Sequence, residues 1–139
     1  MFRVLDADSP ISKEDFLQFE EILGRKLPKT MLDFYLKHNG GQPQVRGVHD
    51  EHHLFPFNSF DSLNEMRKSL TWFDDEAVPA GFKGTDLLHF AYDPGSGNYA
   101  LSLRAEDYGK VYFYVLEEKA EIYGQWPSFE DFLNSFVEE

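Results

Sequence analysis

The chain contains no cysteine, which removes disulfides, thiolate metal ligands and cysteine nucleophiles together and fits a reducing compartment. It also lacks any apolar run approaching the roughly 18 residues that a membrane-spanning helix needs. Its opening residues, MFRVLDADSP, hold charges within the first six positions and no stretch resembling a secretion signal. A cytoplasmic protein with no membrane partner is expected. Positive charge is scarce too: 13 Lys and Arg stand against 25 Asp and Glu, for a formal net charge of -12. Nucleic acid backbones and anionic lipid both demand Lys and Arg, so nucleic acid is not an expected partner either.

What is present is aromatic and acidic. Aromatic residues make up 17% of the chain, led by 14 Phe and 7 Tyr, far too much apolar surface for a disordered acidic tail. The acidity therefore belongs to a folded surface. At 139 residues the chain has the common size of one domain, and no break in composition divides it, so a single domain over residues 1–139 is expected. That length buries enough surface for a self-supporting core without metal or disulfide. The charge is unevenly placed. Residues 1–73 carry 9 basic and 11 acidic side chains, a balance of -2, whereas residues 74–139 carry 4 and 14, a balance of -10. Such a field favours a basic partner, mainly through faster encounter; it also serves solubility.

Local patterns predict an α+β fold. Ile11 to Gly24 reads as a helix: Ser12 caps it, Asp15 lies three residues on, Ile11 can staple onto Phe16, and Phe16, Phe19 and Leu23 share a face. Gly24 supplies a left-handed stop. Leu27 and Pro28 open a second helix with Met31, Leu32, Tyr35 and Leu36 as its buried stripe, ending at His38-Asn39-Gly40-Gly41. The two helices form a hairpin. Val45 to Phe57 is weakly patterned and reads as two short strands or an irregular loop. A third helix is predicted from about Ser59 to Phe73, where Leu63, Met66, Leu70 and Phe73 repeat at three and four. Leu87 to Tyr92, then Tyr99 to Leu103, then Val111 to Leu116 read as three consecutive antiparallel strands, with Asp93 to Asn98 as a turn of five or six residues. Ser128 caps a last helix whose inner face is Phe129, Phe132, Leu133 and Phe136. The expected architecture is an N-terminal helical hairpin and a C-terminal helix flanking a mainly antiparallel sheet.

Chemistry-bearing patterns are weak. His49-Asp50-Glu51-His52-His53 offers imidazoles and carboxylates, but an HExxH site needs a helix to bring its histidines to one face, and this stretch has no helical period. His49, His52 and His53 are the metal candidates, with a solvated loop as the plainer reading, and no metal or other cofactor is expected. Gly95-Ser96-Gly97 follows a strand, yet a phosphate loop needs a helix next and Asn98 opens another strand. No serine sits in a GxSxG setting. The Tyr112-Phe113-Tyr114 run lacks the basic groove of single-strand binders. A chance carboxylate pair among so many acids can mimic a glycosidase; a non-enzymatic protein is expected, with no catalytic residue assigned.

Taken in order, a capped helix, Leu23-Gly24-Arg25-Lys26-Leu27-Pro28, Phe34-Tyr35-Leu36-Lys37-His38-Asn39-Gly40-Gly41, Ala91-Tyr92-Asp93-Pro94-Gly95-Ser96-Gly97-Asn98, Gly109-Lys110-Val111-Tyr112-Phe113 and the helix at Ser128 to Leu133 resemble the SUKH superfamily, the fold shared by bacterial immunity proteins and a fungal cell-wall regulator. The likeness runs from about residue 11 to 136. It departs from the family pattern at Tyr114, Val115 and Leu116, where a Trp and an Asp-His pair often follow the strand. The resemblance implies an immunity protein that neutralises a cognate polymorphic toxin, plausibly a nuclease, by stoichiometric binding; the alternative it leaves open is a regulatory scaffold that binds an endogenous protein. A basic toxin matches the acidic half. The expected contacts are Asp74, Asp75, Glu76, Glu106, Asp107, Tyr108, Glu117 and Glu118, with Tyr108 as the aromatic anchor.

Overall fold

The first helix starts and stops where local chemistry dictates. In the computed structural model, which describes residues 2–45 and 47–137, α1 (Lys13–Leu23) begins at a reciprocal cap. The Asp15 N–H donates to Ser12 Oγ and the Ser12 N–H donates to the Asp15 carboxylate. Gly24 closes the helix at φ 75°, a left-handed backbone that costs any residue with a Cβ. In α2 (Lys29–Lys37), Pro28 is extended and stands just before the helix rather than inside its first turn. Met31, Phe34 and Tyr35 are buried, while Leu36, predicted for the stripe, is exposed. Phe34 takes its place because α2 faces a cluster of rings: Phe2, Phe60 and Phe129 all lie against it.

Three antiparallel sheets follow. β1 (Val4–Leu5) pairs with β2 (Gln42–Pro43). β3 (Gly47–His49) and β4 (Leu54–Pro56) make a hairpin that β10 (Phe136–Val137) extends in the order β10-β3-β4. β5 (Ser59–Phe60), β6 (Leu87–Tyr92), β7 (Gly97–Ser102), β8 (Val111–Leu116) and β9 (Ala120–Trp126) form the largest sheet in chain order. The predicted meander, β6 to β8, is its centre. The turn between β6 and β7 is Asp93 to Ser96, shorter than predicted, because Gly97 and Asn98 already pair with Val115 and Tyr114.

Tertiary pairing overrides the predicted third helix at its start. Ser59 and Phe60 pair with Tyr92 and Ala91 as β5, and Ser62 caps a shorter α3 (Leu63–Ser69), its side chain accepting from the Glu65 N–H. The last helix, α4 (Phe129–Leu133), is capped by Ser128 as predicted. Phe136 lies beyond it in β10, where its backbone pairs with Val48. Among the described residues the fold is α+β, with four α-helices and three antiparallel sheets.

One face of the large sheet supplies the main core. Phe90, Tyr99, Leu101, Val111, Phe113 and Trp126 pack there with Phe16, Phe19, Phe34, Phe129 and Phe132 from the helices. The other face carries Leu87, Ala100, Tyr112 and Tyr114, roofed by Val78 and Phe82 from the irregular segment after α3. Full burial of such side chains is worth about 1.5–3 kcal/mol each, so both layers hold the sheet.

Candidate protein-binding surface

The acidic loops lie at the two ends of the large sheet. Asp74 opens a turn in which its own carboxylate accepts the Glu76 and Ala77 N–H groups at 3.1 Å, and Asp75 Oδ1 accepts the Gly84 N–H at 2.8 Å. These two acids thus stitch the roofing segment together while remaining exposed, and Glu76 is exposed beside them.

Glu106, Asp107 and Tyr108 follow β7 in a short 3-10 turn. Asp107 is taken up internally: Ser102 Oγ, Arg104 Nε, Arg104 Nη2 and the Tyr112 hydroxyl all donate to its carboxylate, at 2.5, 3.1, 2.5 and 2.5 Å. Partial burial opposes the charge, but these hydrogen bonds outweigh it and hold the carboxyl well below the usual carboxylate range. The Tyr112 phenol is correspondingly pushed up to about 12 by burial and by its bond to Asp107. Arg104 also donates to the Gly81 carbonyl at 3.1 Å and lies 3.7 Å over the Phe82 ring, so this network fastens the roof to the sheet. Glu106, 3.8 Å from Arg104, stays exposed.

Tyr108 is half exposed, and its hydroxyl donates to the Lys26 carbonyl. Arg25 of the same α1–α2 connection donates to the Leu103 carbonyl. The predicted anchor is therefore also a strap between the helical layer and the β7–β8 connection. Through Gly81 and Gly84, the structure gathers Asp74 to Glu76 and Glu106 to Tyr108 at one end of the sheet.

Glu117 and Glu118 are exposed at the opposite end, in the β8–β9 turn. The five steps between the first and last residue of β8, at about 3.3 Å each, put roughly 17 Å of strand between the two groups. The predicted contacts thus form two patches. Beside the second patch the edge strand β9, which sequence reasoning missed, exposes Ile122 and Tyr123. The Tyr123 hydroxyl lies 3.4 Å from the Glu121 carboxylate, whose charge, foremost, raises the phenol. An exposed tyrosine among Glu117, Glu118 and Glu121 has the composition of an interface anchor. The β-branched and aromatic residues of Glu121-Ile122-Tyr123-Gly124-Gln125-Trp126 were the signal available in sequence.

The histidine-rich stretch is the β3–β4 turn. Asp50 Oδ1 accepts the His52 and His53 N–H groups at 2.9 and 2.8 Å, His49 Nδ1 lies 3.2 Å from the Asp50 carbonyl, and the His53 ring packs on Phe55. Burial opposes the Asp50 charge, yet these backbone donors win and lower its carboxyl. Among the described residues, no group of three or more His, Cys, Asp or Glu side chains is placed to hold a metal ion. A groove of about 620 Å³ beside this turn has His49, Glu51, His52, Lys110 and Asp131 on its walls, a mixture of signs that favours no one ligand charge.

The Gly95-Ser96-Gly97 turn is likewise occupied from within. Asp93 Oδ1 accepts the Gly95 and Gly97 N–H groups at 2.9 and 2.8 Å, the amides a phosphate would need. A Cβ on Gly97 would fall 2.5 Å from the Phe113 ring, so glycine is required by that close approach. Among the described residues, no helix is long and apolar enough to cross a membrane.

No curated protein matches the chain at a significant level. A family model does match, over residues 10–135, from the approach to α1 through α4. That span holds the capped first helix, the Asp93 turn and the whole five-stranded sheet, and on it the chain belongs to the SMI1/KNR4 family (SUKH-1).

Proposed function

We propose that this protein is an immunity-type inhibitor that blocks a basic protein toxin of the nuclease class by stoichiometric binding in the cytoplasm. The observation that carries the reading is the disposition of charge. Glu76, Glu106, Glu117, Glu118 and Glu121 are all exposed at the sheet ends, and in sequence the chain's second half holds 14 acidic against 4 basic residues. Membership of the SUKH-1 family supports a protein partner.

A nuclease keeps basic groups ready for phosphate, and an acidic cover can occupy them while steering encounter. The two patches divide the work. The end built on Asp107 and Arg104 is rigid, because its acids also brace the fold, and presents Glu76 and Glu106 on a fixed frame. The β9 end presents Tyr123 and Ile122, which supply apolar contact area within a charged rim. Co-expression with the product of an adjacent toxin-like gene tests the proposal: growth is restored by this chain and a complex of equal stoichiometry is recovered. Continued cell death with no complex at low salt contradicts it.

A further inference from the structure

A cleft of about 370 Å³ opens between α3, the residues after it and the strand β6, with Asp61, Glu65, Trp72, His89, Tyr92 and Asn98 on its walls. The backbone of Asp61 is fixed on both sides. Its N–H donates to the Phe90 carbonyl at 2.7 Å, and its own carbonyl accepts the Tyr35 hydroxyl at 2.7 Å. Its carboxylate, by contrast, has no hydrogen bond and no ion pair among the described residues. Glu65 Oε1 accepts the Ser62 N–H, which leaves its charge beside Asp61 without a cation. Burial first, and then Glu65, push the Asp61 carboxyl up to about 7. Two acids held together in this way leave an uncompensated charge that an incoming cation would relieve.

His89 does not supply that cation. Burial lowers its imidazole to about 3, so the ring is neutral. Its Nε2 is engaged 2.6 Å from the Tyr114 hydroxyl, and the other ring nitrogen has no hydrogen-bond partner among the described residues. His89 thus lines the cleft as a buried, neutral ring whose Nε2 is already engaged. The lip is aromatic: Trp72 is 72% exposed and Tyr92 38% exposed, an unusual placement for an indole unless it meets something. Two carboxylates and an open indole on the walls of one cleft match a planar guanidinium, which can bond two oxygens and stack at once, better than they match the point charge of an ammonium.

We propose that this cleft receives an arginine side chain of the protein partner, seated on the Asp61 and Glu65 carboxylates and stacked on Trp72. The inference rests on the protein-binding reading only for the source of that arginine; the site itself can be tested on the free chain.

The chain has two tryptophans, and Trp126 is buried, so Trp72 fluorescence reports the cleft. The 139-residue chain is titrated with N-acetylarginine amide, N-acetyllysine amide and neutral N-acetylcitrulline amide at low salt and about pH 8.5, where Asp61 is charged. Amide shifts of Ser69 and Asn98 locate the effect. The expected result is saturable binding of the arginine probe, at least about threefold tighter than the lysine probe, and weakened about tenfold or more by Asp61→Asn with Glu65→Gln. The titratable groups facing the cleft are Asp61, Glu65, His89 and Tyr92; Asp61, pushed up to about 7, loses its charge between about pH 8.5 and 5 while His89 stays neutral, so wild-type affinity falls over that range. Shifts that stay linear, the same affinity in the double variant, or tighter lysine binding would each overturn the assignment. Because only the free chain is used, that failure leaves the inhibitor reading to its own test; loss of toxin binding with the arginine titration intact does the reverse.

Discussion

The Tyr114 hydroxyl and His89 Nε2 lie 2.6 Å apart although their strands, β8 and β6, are not neighbours. Between them runs β7, where buried Ala100 is small enough to let the two side chains meet over it. Phe73 stacks on the imidazole with ring centres 3.5 Å apart. This buried polar pair ties three central strands to the segment that roofs them.

Its neutrality predicts sensitivity to acid. The folded His89 titrates near 3 because of burial, whereas the unfolded histidine titrates near 6.5. Between those values the unfolded state binds more protons, so this group's contribution to stability falls as pH drops from about 6.5 towards 3. Urea unfolding of wild type and a His89→Phe/Tyr114→Phe double variant is expected to give similar stability at neutral pH and a flatter acid limb in the variant. Tyr114→Phe alone leaves the imidazole without its partner and costs about 1–3 kcal/mol.

Asp61 predicts the opposite slope. Its folded carboxyl titrates near 7 and its unfolded one near 3.8, so over that window the folded state binds the extra proton and stability falls as pH rises. Asp61→Asn is therefore expected to stabilise the protein by about 2 kcal/mol at pH 8, after allowance for partial exposure, and by nothing at pH 3.5. Thermal unfolding at the two pH values checks it; a loss of stability at pH 8 contradicts the uncompensated charge.

The network around Asp107 predicts that Asp107→Asn destabilises by roughly 2–3 kcal/mol, since Arg104 loses its ion pair and the other donors lose a charged acceptor. The folded carboxyl is depressed, so its contribution is present above the unfolded value and lost as pH falls through the folded one. Glu106→Gln, one position away and exposed, is expected to change stability by less than about 0.5 kcal/mol. Denaturation of both variants at neutral pH separates the bracing acid from the exposed one.

That contrast marks how far the sequence is legible. α1 was readable because Ser12, Asp15 and Gly24 act within one turn of chain, and the β6–β8 meander because alternation and turn residues are local. β5 was not: Ser59 and Phe60 carry a helix-compatible pattern, and only pairing with β6 draws them into a strand. β9 was missed because it is an edge strand with most side chains exposed, and the close contact of Phe55 on Gly124 comes from distant sequence. The number of acids is legible in sequence, but their roles are not. Glu106 and Asp107 look alike in sequence and differ only through Ser102, Arg104 and Tyr112, while Asp61, Trp72 and His89 converge on one cleft from separate elements.

The inhibitor reading predicts that charge reversal at the exposed acids slows association without unfolding the chain. Glu117→Lys with Glu118→Lys is expected to leave urea unfolding within about 0.5 kcal/mol of wild type and to lower the association rate with a basic partner about tenfold or more at low salt.

The most direct measurement is complex formation with the product of an adjacent toxin-like gene, followed by stopped-flow mixing across ionic strength alongside growth rescue. An inhibitor gives an equimolar complex that restores growth and forms fastest at low salt, with the charge-reversed variant slower in proportion to the lost steering. Cell death despite expression, with no complex even at low salt, would contradict it.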